Sequence, residues 1–434
     1  MKIYDYPSEA AEKKLATIVN RGLNFKKKDV SAVNRILEEV RRNGDGALIE
    51  YVNRFDAPDL QTDSLAVTES EFREATRQVD AAFRRALNRA TAQIESFHRL
   101  QLPKSWINTD RPGTLVGQMV NPVQAAGIYV PGGRGGTTPL VSSVLMGAIP
   151  ARIAGVERIV MVTPPTRDGH INPHLLVAAR KVGVSEIYKI GSAWAIAALT
   201  YGTATVPKVD VIVGPGNLYV TLAKKIVAGT VGIDMVAGPS EILVVADRFS
   251  DPRFIAADLL SQAEHDVLAS SILITDERRI AEDVVQALRA QLQALTRREI
   301  AAASLDRYGA IMVVPDLDVA VDLANRIAPE HLELHLEEPF DLLGRIRNAG
   351  AVFLGAYTPE PVGDYVAGPN HVLPTAGTAR FASALSVGHF IKKTSIVHYS
   401  KAAFRKEAGD ITRLAETEGL TAHANAVRIR LADE

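Results

Sequence analysis

The sequence predicts an α/β protein of two lobes, with a helical region before them and a small segment after them. Three patterns carry that expectation. Apolar stripes at helical spacing run through residues 1–110. From about residue 125 short apolar runs alternate with helix-like sequence, and a second series of this kind begins near Glu241. Alternation at such spacing makes βαβ units and therefore parallel sheets.

The N-terminal region is read from its stripes. Ser31 is the expected N-cap of a helix in which Val33, Ile36, Leu37 and Val40 fall at i, i+3, i+4 and i+7 ahead of Gly44. A longer helix carries Phe83, Leu87, Ala90, Ile94 and Phe97 along one side. Such stripes are core, because an apolar face must be buried.

In the first α/β series the strand-like runs are Gly127–Val130, Arg158–Val162, Glu186–Ile190 and Val209–Val213. Each runs into Gly or Pro and then helix-like sequence. The second series opens with EILVVAD at Glu241 and continues at Ser270–Thr275, Ala310–Val314 and Ala351–Leu354. Residues 355–378 hold four Gly and four Pro and are expected to be irregular. Loops of that length in a compact protein are mostly functional or disordered, and the sparse polar residues here favour function. Ile411–Leu431 reads as a helix followed by a strand.

Composition narrows the chemistry. Roughly two to four domains are expected from 434 residues. Lys and Arg total 49 and Asp and Glu 50, a net charge of −1 that argues against a dedicated nucleic-acid or membrane-surface binder. There is no cysteine, which excludes disulfides, thiolate metal sites and a thioester route for oxidising an aldehyde. MKIYDYPSEA has no apolar core of a secretory signal, and Asn121, Pro122, Gln124 and Pro131 break up the long uncharged stretch Thr114–Gly133. A cytoplasmic protein is expected.

Two glycine turns follow strand-like runs, YVPGGRGG at Tyr129–Gly136 and VGPGN at Val213–Asn217, the latter before a helix at Leu218–Ala228. Glycines there let backbone N–H groups approach phosphates, although many α/β proteins use such turns only to reverse the chain. No G-x-G-x-x-G motif is present. On the expected helix Pro252–Asp266, Asp258, Gln262 and His265 share a polar face at i, i+4 and i+7. Gln262 and His265 are placed to grip one small ion if other ligands converge. Asp364 and His371 in the Gly/Pro segment, and Glu418 and His423 near the C-terminus, are the candidates. Imidazoles, carboxylate and amide oxygen without thiolate suit Zn²⁺. A lone helical His is more often structural.

The remaining pair is Glu330–His331 in IAPEHLELH, at a helix-to-strand junction marked by Pro329 after the helical pattern Val319–Ile327. Adjacent side chains do not share a face of regular structure, so two acting residues would serve separate protons unless the junction bends. The plainer reading is a surface Glu beside a packed His.

Taken together these segments resemble histidinol dehydrogenase. The resemblance runs from GDGALIEY near Gly44 to LTAHANAVRIRL. IYVPGG, VGPGNLYV, DMVAGPSEILV, LLSQAEHD, APEHLEL, GDYVAGPNHVLPT and EGLTAHANAV carry it, in that order. It implies two Rossmann-like lobes and oxidation of L-histidinol to L-histidine with one Zn²⁺ per subunit and two NAD⁺ in succession. The implied zinc ligands are Gln262, His265, Asp364 and His423, with Glu330 and His331 as acid/base residues. Ser240, Gln262, His265, His331, Asp364, Glu418 and His423 would meet substrate, and Tyr129 and Asn217 would meet NAD. The implied organisation is a helical region 1–110, an NAD lobe 111–238, a lobe 239–380 with metal and acid/base residues, and a segment 381–434. That last segment would complete the partner's site in a homodimer, so Glu418 and His423 would act in trans.

One position departs from the family pattern. GGAQAIAALAYGT reads GSAWAIAALTYGT here, so Trp194 stands where a Gln usually contacts NAD. Indole can stack on a ring but cannot accept a hydrogen bond, and that contact is not carried over. The glycine stretch after Pro131 also looks longer than in many members. The competing readings are a sister dehydrogenase for another polar alcohol, a zinc hydrolase without NAD dependence, and a non-catalytic metabolite-binding module. The hydrolase leaves the two glycine turns without a purpose, and the binding module leaves the Glu–His pair unexplained.

Overall fold

Runs rich in Val, Ile and Leu become strands along most of the chain, and two all-parallel sheets result. The computed structural model describes residues 1–21, 25–133 and 136–432. They form two compact units, Met1–Gln101 with Gln124–Phe390, and Leu102–Val123 with Ile391–Glu434.

The larger unit begins with strand β1 (Ile3–Asp5) and helices α1 (Glu9–Val19), α2 (Lys27–Asn43), α3 (Asp45–Phe55), α4 (Glu69–Gln78) and α5 (Ala81–Arg99). Val33, Ile36, Leu37 and Val40 are buried as expected, but Ser31 is not a cap. Helix α2 starts a turn earlier, after Lys26, and ends at Gly44 with φ +54°. Good helix formers upstream, Lys27 and Lys28, extend it without a side-chain cap. Helix α5 buries Leu87, Ala90 and Ile94.

Strands β2 (Trp106–Asn108) and β3 (Thr114–Pro122) belong to the smaller unit. The chain then builds the first lobe from β4 (Ala125–Tyr129), α6 (Val141–Ala154), β5 (Arg158–Thr163), α7 (Pro173–Lys181) and β6 (Glu186–Lys189). It continues with α8 (Ser192–Tyr201), β7 (Val211–Val213), α9 (Leu218–Val227) and β8 (Gly232–Ile233). The sheet order is β6-β5-β4-β7-β8. The chain therefore changes direction between β4 and β7, and the crevice beyond their carboxyl ends is where such sheets bind ligands. Tyr129 closes β4, and the turn carrying Asn217 follows β7.

The second lobe contains β9 (Glu241–Ala246), α10 (Pro252–Ala263), β10 (Ser270–Thr275), α11 (Arg278–Leu292), α12 (Arg298–Tyr308) and β11 (Gly309–Val313). It goes on through α13 (Leu317–Ile327), β12 (His331–His335), α14 (Pro339–Leu343), β13 (Ala351–Leu354) and α15 (Glu360–Tyr365). Its sheet runs β1-β11-β10-β9-β12-β13, so Ile3–Asp5, within the region read as helical, adds an edge strand. Leu243, Val245, Leu332 and Leu334 pack on one face with α1 and α13. Ile242, Val244, Leu273 and Ile311 pack on the other with α10, α11 and α12. Each fully buried Leu or Ile contributes about 1.5–3 kcal/mol.

Helix α15 corrects the expectation that residues 355–378 hold no regular structure. Pro359 caps it and Pro361 occupies its first turn, where a missing N–H costs nothing and the fixed φ suits a helix.

The smaller unit joins β14 (Ile391–Tyr399) to β3 and β2 in an antiparallel sheet, with α16 (Lys401–Thr417) and α17 (Thr421–Arg428). No strand follows α17 among the described residues. The alternating Val-Arg-Ile-Arg-Leu pattern resembles a strand, but Val427 is buried on the helix while Ile429 and Leu431 remain exposed.

Candidate active site

Helix α13 ends at Ala328, in the left-handed conformation at φ +53°, and Pro329 turns the chain into β12. Gly350 lets the next segment close over this junction. A Cβ there would lie 2.5 Å from the Glu330 carbonyl oxygen, which accepts the Ala351 N–H at 2.9 Å. Glu330 and His331 are thus clamped and buried, not a surface pair.

His331 faces Ile242 of β9 in the register. Its Nδ1 lies 2.9 Å from the Glu241 carbonyl oxygen. A carbonyl only accepts, so Nδ1 carries the proton and Nε2 keeps its lone pair. Burial pushes the imidazole down to about 4, against the Glu241 hydrogen bond, so it is neutral near pH 7. Glu330 Oε2 accepts the Glu241 N–H at 2.9 Å, and Glu241 Oε2 accepts the Glu330 N–H at 3.3 Å. Burial raises Glu330 well above the carboxylate range, and this N–H offsets only part of that.

Nε2 of His331 lies 3.8 Å from Glu360 Oε1. His331, Glu360 and Asp364 present ligand atoms within 4.8 Å of one another. Gln262 is fully buried on the last turn of α10, and only with its amide turned so that the nitrogen faces Glu360 are both of its ends satisfied, the nitrogen donating to both Glu360 oxygens at 2.9 and 2.7 Å. Its oxygen then accepts from His265 Nδ1 at 3.2 Å. His265 stands two residues past the end of α10, not on the helix itself. Asp258, one turn before Gln262 on α10, lies 3.2 Å from His335. His371 Nδ1 lies 3.8 Å from Asp364, and these two with His331 and Phe353 line a cavity of about 120 Å³. A larger cleft of about 1140 Å³ opens beside His265, Thr138 and Arg297.

This donor set fits a small borderline cation. Burial raises Glu360 well above its ordinary range, and Asp364, Glu330, Glu333 and Asp258 reinforce the shift. Burial likewise takes Asp364 up to about 6. Such mutual repulsion among buried carboxylates is relieved by a cation. Burial keeps His265 below the ordinary imidazole value and so neutral, the form that ligates. Glu360 was not singled out from the sequence. The spacing of Glu360 and Asp364, one helical turn apart behind Pro359, is the signal that could have found it.

At the carboxyl ends of β4 and β7, Gly214 has φ +117°, and a Cβ there would lie 2.1 Å from the Tyr129 carbonyl oxygen. Its N–H donates to Asp234 Oδ2 at 2.8 Å and its carbonyl accepts from Lys224 Nζ at 2.8 Å. Lys224 and Asp234 form a buried ion pair. Asn217 caps α9, its Oδ1 accepting from Tyr219 and Val220 at 3.0 and 3.1 Å. Tyr129 is buried, and its hydroxyl accepts the Ser192 N–H at 3.1 Å. Trp194 packs in a three-ring cluster with Tyr51 and Phe55, its ring centroid 5.5 Å from each of them and theirs 6.3 Å from one another. Its indole is core, so stacking on a cofactor ring is not its role here. The long glycine stretch passes through Arg134 and Gly135, which lie outside the described residues.

Ser240 immediately precedes β9, half-buried, with its carbonyl accepting the Ser270 N–H at 3.0 Å. Glu418 and His423 lie in the smaller unit and are exposed. No helix among the described residues is long and apolar enough to cross a membrane.

Comparison with known proteins gives the family of the chain. The family model for histidinol dehydrogenase matches residues 20–431. The histidinol dehydrogenase of Desulfotalea psychrophila is 58% identical over 92% of both chains. That of Geobacter metallireducens is 52% identical over 100% of this chain and 99% of its own. The crystal structure of histidinol dehydrogenase from Elizabethkingia anophelis superimposes with a TM-score of 0.93 at 38% identity, covering 99% of this chain and 98% of that one. The chain belongs to the histidinol dehydrogenase family of oxidoreductases.

Proposed function

We propose that the protein oxidises L-histidinol to L-histidine through L-histidinal, a four-electron oxidation in histidine biosynthesis using one Zn²⁺ per subunit and two NAD⁺ in succession. The observation that carries this reading is a neutral, hydrogen-bonded His331 beside Glu330 and a cluster of buried carboxylates and amide-imidazole donors. Gln262, His265 and Asp364, with His423, would hold the zinc, and Tyr129 and Asn217 flank the crevice for NAD. When bound, zinc would supply an anchor for the substrate's amine and imidazole, and NAD the hydride acceptor.

His331 takes the alcohol proton on Nε2, because Nδ1 is committed to the Glu241 carbonyl. The aldehyde then gains water to become a hydrate before the second two-electron step. Glu330 activates that water once ionised, and a residue with a raised pKa is matched to such a role near neutral pH. With no cysteine in the chain, this hydrate replaces a thioester. Ser240, Glu418 and His423 complete the substrate contacts.

A homodimer with shared sites is part of the reading. In the smaller unit, Val397, Leu414 and Ile107 are 68%, 66% and 61% exposed, apolar side chains that a second copy would cover. An NAD-consuming biosynthetic step is the ground for a cytoplasmic location. The deciding experiment is NADH formed per L-histidinol consumed, with and without a strong chelator. The reading expects two NADH, abolished by chelation and restored by Zn²⁺. NADH with other alcohols but none with histidinol would move the protein to a sister activity.

A further inference from the structure

One buried group of titratable side chains has no part in the chemistry above. His331, Glu333 and His335 alternate along β12 and so point to one face of the sheet, while Leu332 and Leu334 point to the other. His335 Nε2 lies 3.2 Å from Asp258 Oδ2 and 3.2 Å from Glu333 Oε2. Burial opposes charge on His335, but these two carboxylates outweigh it and hold the imidazole at about 9. The second oxygen of Glu333 accepts the backbone N–H of Glu360 at 2.8 Å.

Each member belongs to an element that carries residues of the proposed site. Asp258 stands one turn before Gln262 on α10, and Glu333 two residues after His331 on β12. Glu360 opens α15 one turn before Asp364. Helix α15 has six residues and no side-chain cap, so it cannot hold its own position and its first N–H groups need acceptors. The Glu333 and His335 side chains are 0% and 1% exposed, which removes them from direct contact with substrate.

We propose that Glu333, braced by His335 and Asp258, is a positioning residue that sets α15 against α10 and β12 and thereby determines how tightly Zn²⁺ is held. The proposal rests on the zinc reading above and concerns the chain's own geometry. It says that the ligand side chains are aligned by one acceptor on the Glu360 N–H, not by α15 itself.

The test uses full-length, zinc-loaded protein and its Glu333→Ala, Glu333→Gln and Asp258→Asn variants. The zinc dissociation constant is measured by competition with a chromophoric chelator, beside thermal stability and the KM and kcat for histidinol. Glu333→Ala is expected to weaken zinc binding by about 10–100-fold, the usual effect of removing a partner that orients metal ligands. Glu333→Gln keeps an oxygen for the Glu360 N–H and should recover part of that loss. A lowered melting temperature with zinc affinity within about twofold of the parent would overturn the proposal, since a purely structural role moves only the former. If Glu333→Ala does not fold, the isosteric Asp258→Asn decides by the same affinity criterion. A parent that binds zinc but does not oxidise histidinol refutes the functional reading alone, and a parent that binds no zinc refutes both.

Discussion

His331 Nδ1 lies 2.9 Å from the carbonyl oxygen of Glu241, a residue 90 positions earlier in the chain. The N–H of that same residue is held by Glu330. One peptide segment at the start of β9 therefore orients both acid/base candidates. It fixes the imidazole tautomer and turns the Glu330 carboxyl by its backbone, without needing either side chain to touch the other.

This division of labour separates the two oxidations. Glu330→Gln keeps an oxygen for the Glu241 N–H but cannot take a proton. It should impair oxidation of supplied histidinal more than oxidation of histidinol to the aldehyde. Loss of a general base typically costs about 10²–10⁴-fold, which sets the expected scale for the aldehyde step. Single-turnover measurements of each half-reaction check it, and equal losses in both would contradict the assignment.

The turn after β7 makes a stability prediction. Lys224 and Asp234 are an ion pair with 3% and 0% side-chain exposure, and together they satisfy both backbone groups of Gly214. Lys224→Met leaves a buried carboxylate without its cation and should cost about 3–5 kcal/mol. Because Gly214 lies against the Tyr129 carbonyl, the same change should raise the KM for NAD more than it lowers kcat. Urea unfolding and NAD titration measure the two effects. Unchanged stability would mean that Asp234 is adequately held by the Gly214 and Met235 N–H groups alone.

Asp56 gives a pH dependence whose sign can be worked out. Burial takes its carboxyl from 3.8 up to about 7, against the neighbouring Trp194 indole and the Gly191 N–H. Below pH 3.8 it is neutral folded and unfolded alike, and its own contribution to stability is most favourable. As pH rises from there only the unfolded chain ionises freely, so this contribution falls until about pH 7 and then levels. A shift of this size corresponds to about 4 kcal/mol in total. Asp56→Asn cannot ionise. Its urea midpoint should therefore gain on the parent's between about pH 4 and 7, and a parallel pair of curves would remove Asp56 as the cause.

Much of this architecture was legible because it is local. Strands β9, β10 and β13 end where apolar runs meet Gly or charge, and the α2 stripe is buried residue for residue. Gln262 and His265 also come together, being three residues apart, although the helix stops before His265. What remained hidden is long-range or masked by composition. The Glu241–Glu330 hydrogen bonds join residues 89 positions apart, a pairing that no spacing encodes. Glu360 sits among prolines that look like loop punctuation but in fact start a helix. The strand read after Pro329 carries HLELH, and its period-two pattern already sets Glu333 and His335 on the face of His331. Trp194 could be judged only from its neighbours, since an indole fits an aromatic core as readily as a cofactor face.

The shared-site dimer yields the last prediction. Glu418 and His423 are exposed in the smaller unit, while Glu330 and His331 are buried in the larger one. If His423 serves the partner's site, a His423→Ala chain and a His331→Ala chain carry complementary defects. In a hybrid dimer one site receives both lesions and the other receives neither. Mixing the two inactive proteins under conditions of proven subunit exchange should then restore activity. Statistical exchange makes half the dimers hybrid, each with one intact site, so roughly a quarter of the parental activity is expected. Absence of recovery, with exchange demonstrated by differently tagged chains, would place His423 in the site of its own chain.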